Sequence, residues 1–503
     1  MIVSGFLSVF NGYCIALIFA GVVIGIIFGA LPGLTATMAI ALCLPLTYSM
    51  GTIQSLCILM GLYIGGISGG LISAILLKIP GTPSSIATTF DGAPMAERGE
   101  AGRALSVGVF YSFLGTVISI AALIGIAPVL AQFTLKFGPY EYFAVGLFSL
   151  TMVGSLVSGS VAKGLGGCVL GLCLAMVGAA PSSGTLRYSF GFHGLDNGFS
   201  MLPVMIGLFA VSEILSAAEA GVKTGKDEAH TYKLKGIVVS LKEFVEQLWN
   251  MLRSALIGIG IGILPGIGGG TSNLIAYIVA RNQSKHPEKF GTGCIDGIIA
   301  SETSNNASVG GALIPLLTLG IPGDTGTAML LGAFMMHGVS VGPMLFKTDG
   351  VLVYGVFAAT IIATVFMLLV ELGCMPILVK ILAVPRHILL PVIMALCCVG
   401  AYGNNNRMFD VATVFIFGLL GYVLKKLGFS STPVILGFIL ENTVEMYLLR
   451  GMQYSQGSWV PFFTSPIALV FYGITPGIRR PDRKETVKGG KSRQKWMLSW
   501  LKG

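Results

Sequence analysis

The sequence predicts an all-α polytopic membrane protein, with about twelve transmembrane helices in two homologous repeats carrying Pro-Gly-broken or re-entrant segments. Three observations carry that expectation. Of 503 residues, 54% are hydrophobic and only 11% charged, whereas a soluble chain carries about 25% charged residues. Apolar runs repeatedly exceed the roughly 18 residues needed to span a bilayer; Val351–Val379 holds a single charge, Glu371. Finally, Gly25-Ile-Ile-Phe-Gly29-Ala-Leu31-Pro32-Gly33-Leu returns 233 residues later as Gly258-Ile-Gly-Ile-Gly262-Ile-Leu264-Pro265-Gly266-Ile, identical at six of ten positions.

Hydropathy places spans at 6–31 with a continuation over 34–48, then 53–79, 104–133, 140–158, 161–181 and 198–219. In the second half they fall at 250–264 with a continuation over 266–280, then 297–320, 350–383, 386–402, 408–427, 432–449 and 460–477. No cationic region precedes the first apolar stretch, so that stretch is expected to be a retained helix. Residues 237–252 mix apolar and charged side chains at helical spacing, as in a helix lying at the membrane surface.

Four parts follow: a membrane repeat over 1–220, a basic linker with its interfacial helix over 221–249, a second repeat over 250–478 and a basic tail over 479–503. The tail holds nine Lys/Arg against two acids, and Lys223–Lys242 holds five lysines against two acids. Both are expected in the cytoplasm by the positive-inside rule. The tail adjoins a span and contains Trp496 and Trp500, which favours a lipid surface over a nucleic acid.

A second repeated element supports duplication. Gly69-Gly-Leu-Ile-Ser-Ala-Ile-Leu-Leu-Lys-Ile-Pro80-Gly81 matches the stretch from Gly311 through Ile321-Pro322-Gly323 at seven of thirteen positions, with an offset of 242. Parallel and inverted repeats both remain open. A cytoplasmic linker and tail require an even number of crossings in the second half, so 297–320, with its polar start and Pro-Gly end, is expected to be a re-entrant hairpin. Analogy with alternating-access transporters leans towards inversion.

Glycine makes up 70 residues, many at spacing four, which stacks them on one helix face and lets backbones approach. The prolines beside them do more. Pro32, Pro80, Pro265 and Pro322 each remove a backbone N–H and break a helix at membrane depth. Such breaks are tolerated where the freed groups face protein, a cavity or a solute. Small and hydroxylated residues follow each one: Gly33, Thr35 and Thr37; Gly81, Thr82 and Ser84; Gly266, Gly268, Gly269 and Thr271; Gly323 and Thr325. Bare N–H groups at new helix N-termini favour an anion, making these the expected substrate-binding residues. The plainer alternative is that the hydroxyls only cap broken helices.

The most polar run in apolar surroundings is Glu302-Thr-Ser-Asn305-Asn306-Ala-Ser308. Acids and amides at membrane depth are costly unless partnered, so a function is the default expectation. Asn305 and Asn306 are expected to bind substrate, and Glu302 to hold a coupling proton or Na⁺, unless it serves a salt bridge. Asp91 and Asp324 are further candidates for the coupling ion. Lys78 could neutralise a carboxylate or snorkel to the interface. The nine cysteines and five histidines show no metal-ligand spacing, and no organic or metal cofactor is expected. Walker A, nucleophile-elbow and H-E-x-x-H motifs are absent from the sequence, so no enzyme activity is expected.

One combination of residues is specific. Ile79-Pro-Gly81-Thr-Pro-Ser-Ser-Ile-Ala-Thr88-Thr89-Phe-Asp91-Gly92, continued by Gly99-Glu-Ala-Gly102-Arg103, stands with Leu31-Pro32-Gly33, Leu264-Pro265-Gly266, Glu302-Thr-Ser-Asn305-Asn306-Ala307 and Ile321-Pro322-Gly323. Together they make the chain resemble the large membrane subunit of the tripartite tricarboxylate transporters, over nearly its whole length. The resemblance implies a bacterial inner-membrane secondary transporter for carboxylates such as citrate. It also implies a small membrane subunit and a periplasmic solute-binding protein as partners. Asp324 departs from the small neutral residue expected after Gly323. Two other readings stay open: a self-sufficient symporter or channel, and a non-transporting membrane scaffold.

Overall fold

A computed structural model describes residues 2–156, 160–181, 183–219, 239–381 and 386–474. Its helices are, in order, α1 (Ile2–Val9), α2 (Gly12–Ala30), α3 (Ala36–Cys43), α4 (Thr52–Leu76), α5 (Ile86–Glu97), α6 (Ala101–Thr134), α7 (Pro139–Leu156), α8 (Val161–Ala175) and α9 (Met201–Glu219). The second half adds α10 (Leu241–Ile263), α11 (Gly268–Gln283), α12 (Ile295–Leu319), α13 (Thr325–Met336), α14 (Gly350–Gly373), α15 (Arg386–Asn405), α16 (Met408–Lys426), α17 (Ser431–Tyr454) and α18 (Pro466–Ile474). A two-residue hairpin pairs Gly178–Ala179 with Leu186–Arg187. Among the described residues, seven helices are long and apolar enough to cross a membrane: α2, α4, α6, α9, α14, α16 and α17. The tail at 479–503 and the linker up to residue 238 lie outside the described residues.

Glycine seams set the core. The carbonyl oxygens of Ile58, Leu62 and Gly66 lie where β-carbons on Gly21, Gly25 and Gly29 would stand, so α2 and α4 run parallel in backbone contact. The carbonyls of Ser304 and Ser308 lie likewise against Gly258 and Gly262, so α10 and α12 also run parallel. The two seams correspond residue by residue: Gly25 meets Leu62 and Gly258 meets Ser304, separated by the same offsets of 233 and 242 that relate the motifs.

Hydropathy predicts that the chain continues in the same direction beyond each first break; instead it turns back. Ala36 at the start of α3 touches Gly66, while Ser55 at the start of α4 bonds the carbonyl of Thr47. α2 and α3 therefore form a helical hairpin with Pro32-Gly33 at its tip. In the second half Ser272 and Ser304 exchange hydroxyl-to-carbonyl bonds, Asn273 reaches the Ser301 carbonyl, and Tyr277 packs on Gly297. α11 thus runs antiparallel to α12, and α10–α11 is the matching hairpin. A residue with positive φ at each tip, Gly33 at +88° and Gly266 at +75°, makes the reversal possible.

A further expectation is corrected. The 297–320 segment is no re-entrant hairpin: α12 is one continuous helix, buried at every residue from Gly297 to Thr318. Its polar residues face protein on all sides, which hydropathy reads as weak membrane affinity. The interfacial helix expected over 237–252 is the first part of α10, which continues unbroken to Ile263. Leu241, Val245, Leu248, Trp249 and Leu252 stay exposed along it.

α4 and α12 cross at the centre in opposite senses. Ile67 of α4 accepts from Asn305, whereas Leu71, one turn on, shares the Gly108 contact with Ile298 and Glu302. α6 packs along α12, and α14 packs along α4. α7, α8 and α17 form a separate packed group, with the carbonyl of Val434 against Gly171.

Candidate functional site

Each tip frees a helix N-terminus, and the four are finished differently. Thr35 caps α3 by accepting from the Met38 N–H at 3.2 Å. Asp324 caps α13, taking the Thr327 N–H at 2.7 Å, and Tyr63 donates to its other oxygen at 2.7 Å. Ahead of α5, Thr82 and Ser85 form a capping box, in which the Thr82 N–H donates to Ser85 Oγ at 3.4 Å. α11 opens on Gly268-Gly269-Gly270 with no side-chain cap. Asp324 thus places a carboxylate at the N-terminus of α13, whereas α11 opens on backbone N–H groups of glycine alone.

The tips meet across the halves. Thr37 and Thr325 share a hydroxyl hydrogen bond at 3.0 Å. Under the two offsets their counterparts are Gly270 and Pro83, and a β-carbon on Gly270 would lie 3.3 Å from the Pro83 carbonyl. The first hairpin therefore meets the second break of the other half, and the second hairpin meets the second break of the first. Ser84 Oγ borders Gly269, and the Ala87 N–H donates to Asn273 Oδ1 at 2.8 Å. Thr35, Ser84, Thr271 and Thr325 are half-buried and Gly33 is exposed, so these tips keep an open face.

Beside them lies the polar run of α12. Asn305 donates to the Ile67 carbonyl at 3.4 Å, and its Oδ1 points at Gly269 with no partner among the described residues. Glu302 is fully buried and accepts from Thr88 Oγ1, Ser112 Oγ (3.1 Å) and Asn306 Nδ2 (3.4 Å). Asn306 also donates to Ser112 at 2.8 Å. Three donors on one carboxylate are what a buried anion requires. Asn306 is thus turned towards Glu302, while Asn305 is turned towards the tips.

Not all expected residues converge. Asp91 lies on α5, where its Oδ1 accepts from the N–H groups of Gly291, Gly293 and Cys294 and its Oδ2 from Tyr277. It ties α5 to the loop before α12, away from the Asn305 and Glu302 cluster. Pro32, Pro80, Pro265 and Pro322 bend the chain at the tips. Gly81 and Gly323 are buried where the chain passes the Gly29 and Gly262 carbonyls, so they serve close approach. Gly266 is covered by Val153 and Leu436. Lys78, two residues before Pro80, is exposed and paired with Glu97 at 3.1 Å.

Sequence reasoning missed Tyr63, Ser68, Ser112 and the site around Glu371. An isolated acid in a long apolar run is a readable signal for Glu371; Tyr63 and the two serines have none, because only tertiary packing brings Asp324, Glu371 and Glu302 within reach of them. Among the described residues no group of three His, Cys, Asp or Glu could hold a metal.

The chain is 36% identical over 456 residues, 90% of its own length and 89% of the relative's, to an uncharacterized 52.8 kDa protein encoded in the TAR-I ttuC' 3' region of Agrobacterium vitis. It is 37% identical over 214 residues, 42% of this chain and 88% of the relative, to an uncharacterized protein of the TAR-II ttuC' 3' region of the same organism. No solved structure gives a significant match. The family model described as tripartite tricarboxylate transporter TctA matches residues 15–436, and the chain therefore belongs to the tripartite tricarboxylate transporter TctA family, a family of membrane transport components.

Proposed function

We propose that this chain is the translocating subunit of a secondary transporter that takes up a small di- or tricarboxylate such as citrate, coupled to cation entry. The observation that carries this reading is the bare Gly268–Gly270 terminus of α11, bordered by Ser84 and by the orphaned amide oxygen of Asn305. A half-turn of that amide exchanges Oδ1 for Nδ2 and aims a donor at an incoming carboxylate. Half-buried Thr35, Thr271 and Thr325 supply further hydroxyls. Glu302, among the hydroxyls of Thr88 and Ser112, is the candidate holder of a coupling cation.

The matched seams, the paired tips and the opposite senses of α4 and α12 support an inverted duplication in which the substrate lies between the halves. Family membership supports a small membrane subunit and a periplasmic binding protein as partners, and an inner-membrane location with linker and tail in the cytoplasm.

The test is uptake of radiolabelled tri- and dicarboxylates by vesicles carrying the chain with its two partners. Removing proton and sodium gradients together should collapse accumulation; accumulation that persists overturns the coupling. Accumulation by the chain alone overturns the need for a binding protein.

A further inference from the structure

Five consecutive residues of α4 each meet a different neighbour. Gly66 touches Ala36 of the first hairpin, and the Ile67 carbonyl accepts from Asn305. Ser68 Oγ donates to Glu371 Oε2 at 2.8 Å, Gly69 meets the Ile26 carbonyl, and Gly70 meets Thr82. Glu371 therefore sits at the depth of the hairpin tips, one residue along α4 from the Asn305 contact. α14 runs parallel to α4: Leu56 and Cys57 share a narrow gap with Leu352 and Val356, and Ser68 then meets Glu371.

The two buried carboxyls on this frame differ in kind. Glu302 accepts from three side-chain donors. Glu371, also fully buried, accepts from Ser68 alone among the described residues, and its Oε1 has no partner. A buried carboxyl with one donor leaves its second oxygen to be satisfied from elsewhere, and Glu371 Oε1 is the place on this frame where a proton can sit.

Among the described residues no cation is ion-paired or hydrogen-bonded to Glu371. α1, α2 and α4 pack on α14 and carry no Asp, Glu, Lys, Arg or His; their titratable groups are Tyr13, Cys14, Cys57 and Tyr63. α6 adds Tyr111 and, at its solvent end, Arg103, which pairs with Glu243. Lys347 precedes the far end of α14, Lys380 follows its near end on Met375–Ile381, and Glu302 stands on α12.

Resting on the transport reading above, we propose that Glu371 is the proton-carrying group of the cycle. It holds a proton in the conformation described here and releases it to the opposite aqueous phase when α4 and α14 shift and water reaches Oε1. The proton taken from one side is the proton delivered to the other, and no further reactant is needed. The occupant of the Glu302 site can then be a separate cation or none.

The experiment reconstitutes the chain with its partners and reads accumulation and exchange of a radiolabelled carboxylate against pH. Wild-type accumulation should fall roughly tenfold when a protonophore removes a one-unit pH gradient. Glu371→Gln keeps the Ser68 contact but cannot titrate. It should lose both the accumulation and the response to pH, while still exchanging internal for external substrate. A Glu371→Gln protein with the wild-type pH response overturns the assignment. If that variant fails to fold, Glu371→Asp and Ser68→Ala should each shift the pH of half-maximal uptake, and an unshifted profile overturns it. Accumulation driven by sodium and indifferent to protonophore sinks this assignment and leaves the transport reading standing. Absence of accumulation under any gradient sinks both.

Discussion

Asn305 and Asn306 are neighbours with different tasks. Asn305 faces the tips with a free oxygen, whereas Asn306 is bound to Ser112 and Glu302. Asn305→Leu should abolish uptake while the protein still inserts and unfolds near the wild-type temperature. Asn306→Leu should also stop uptake, and in addition lower stability by about 1–3 kcal/mol, because Glu302 loses a donor. Thermal unfolding in detergent separates the two, and unchanged uptake in either variant would refute its role. Asp324 behaves as a cap: Asp324→Asn should retain stability to within about 1 kcal/mol, since both residues cap well, while Asp324→Leu should not. At the solvent end of α10 the Ser240 backbone N–H, with help from Arg103, holds the Glu243 carboxyl below its ordinary value. A depressed value means stabilisation that is present at neutral pH and lost as the group protonates in acid. The protection factors of the first-turn amides of α10, which take out the pH dependence of intrinsic exchange, should therefore fall as the pH drops from neutral into the range where carboxylates protonate, and protection unchanged across that range would contradict this.

At the level of elements, the seams make the strongest demand. Gly25 and Gly258 stand against backbone carbonyls that cannot move aside as a flexible side chain would. Gly25→Val and Gly258→Val should each destabilise the fold by about 1–3 kcal/mol or more, to similar extents, because they occupy matching places. Gly260, on the same helix with nothing near its Cα, should accept alanine without loss. Circular dichroism melts of the three variants in detergent provide the check; equal effects at all three would refute the seam. The hairpins also explain the proline pairs. A proline in mid-helix kinks it, but Pro-Gly with a positive φ at the glycine turns the chain back.

For the whole molecule, the paired tips give a direct test. Thr37→Cys with Thr325→Cys should cross-link on mild oxidation, since the native hydroxyls are 3.0 Å apart, and the link should arrest uptake reversibly. Failure to cross-link, or uptake unaffected by a complete link, would show that the halves do not meet or do not move there. Much of this arrangement was legible beforehand. The two motif offsets, the four breaks and the polar run on α12 are local patterns, and hydropathy located most helices to within a few residues. Three features were not legible. Hydropathy cannot tell a break that continues from one that reverses, because both bury the same apolar residues. It undervalues α12, whose polar groups are satisfied by neighbours distant in sequence. It also treats Asp91 and Glu302 alike, although one is consumed by backbone N–H groups and the other by hydroxyls on α5 and α6.

The sequence by itself determined that this is a membrane protein with four helix breaks in two matched sets, since composition, proline chemistry and repeat spacing are properties of the chain. Only the tertiary structure decided that the first breaks are hairpin tips, that each meets the second break of the other half, and that α11 alone presents a bare glycine terminus. Those outcomes depend on which donors and acceptors are brought within about 3 Å of one another. Direction of crossing and choice of partner settle that, and neither is written in a local pattern.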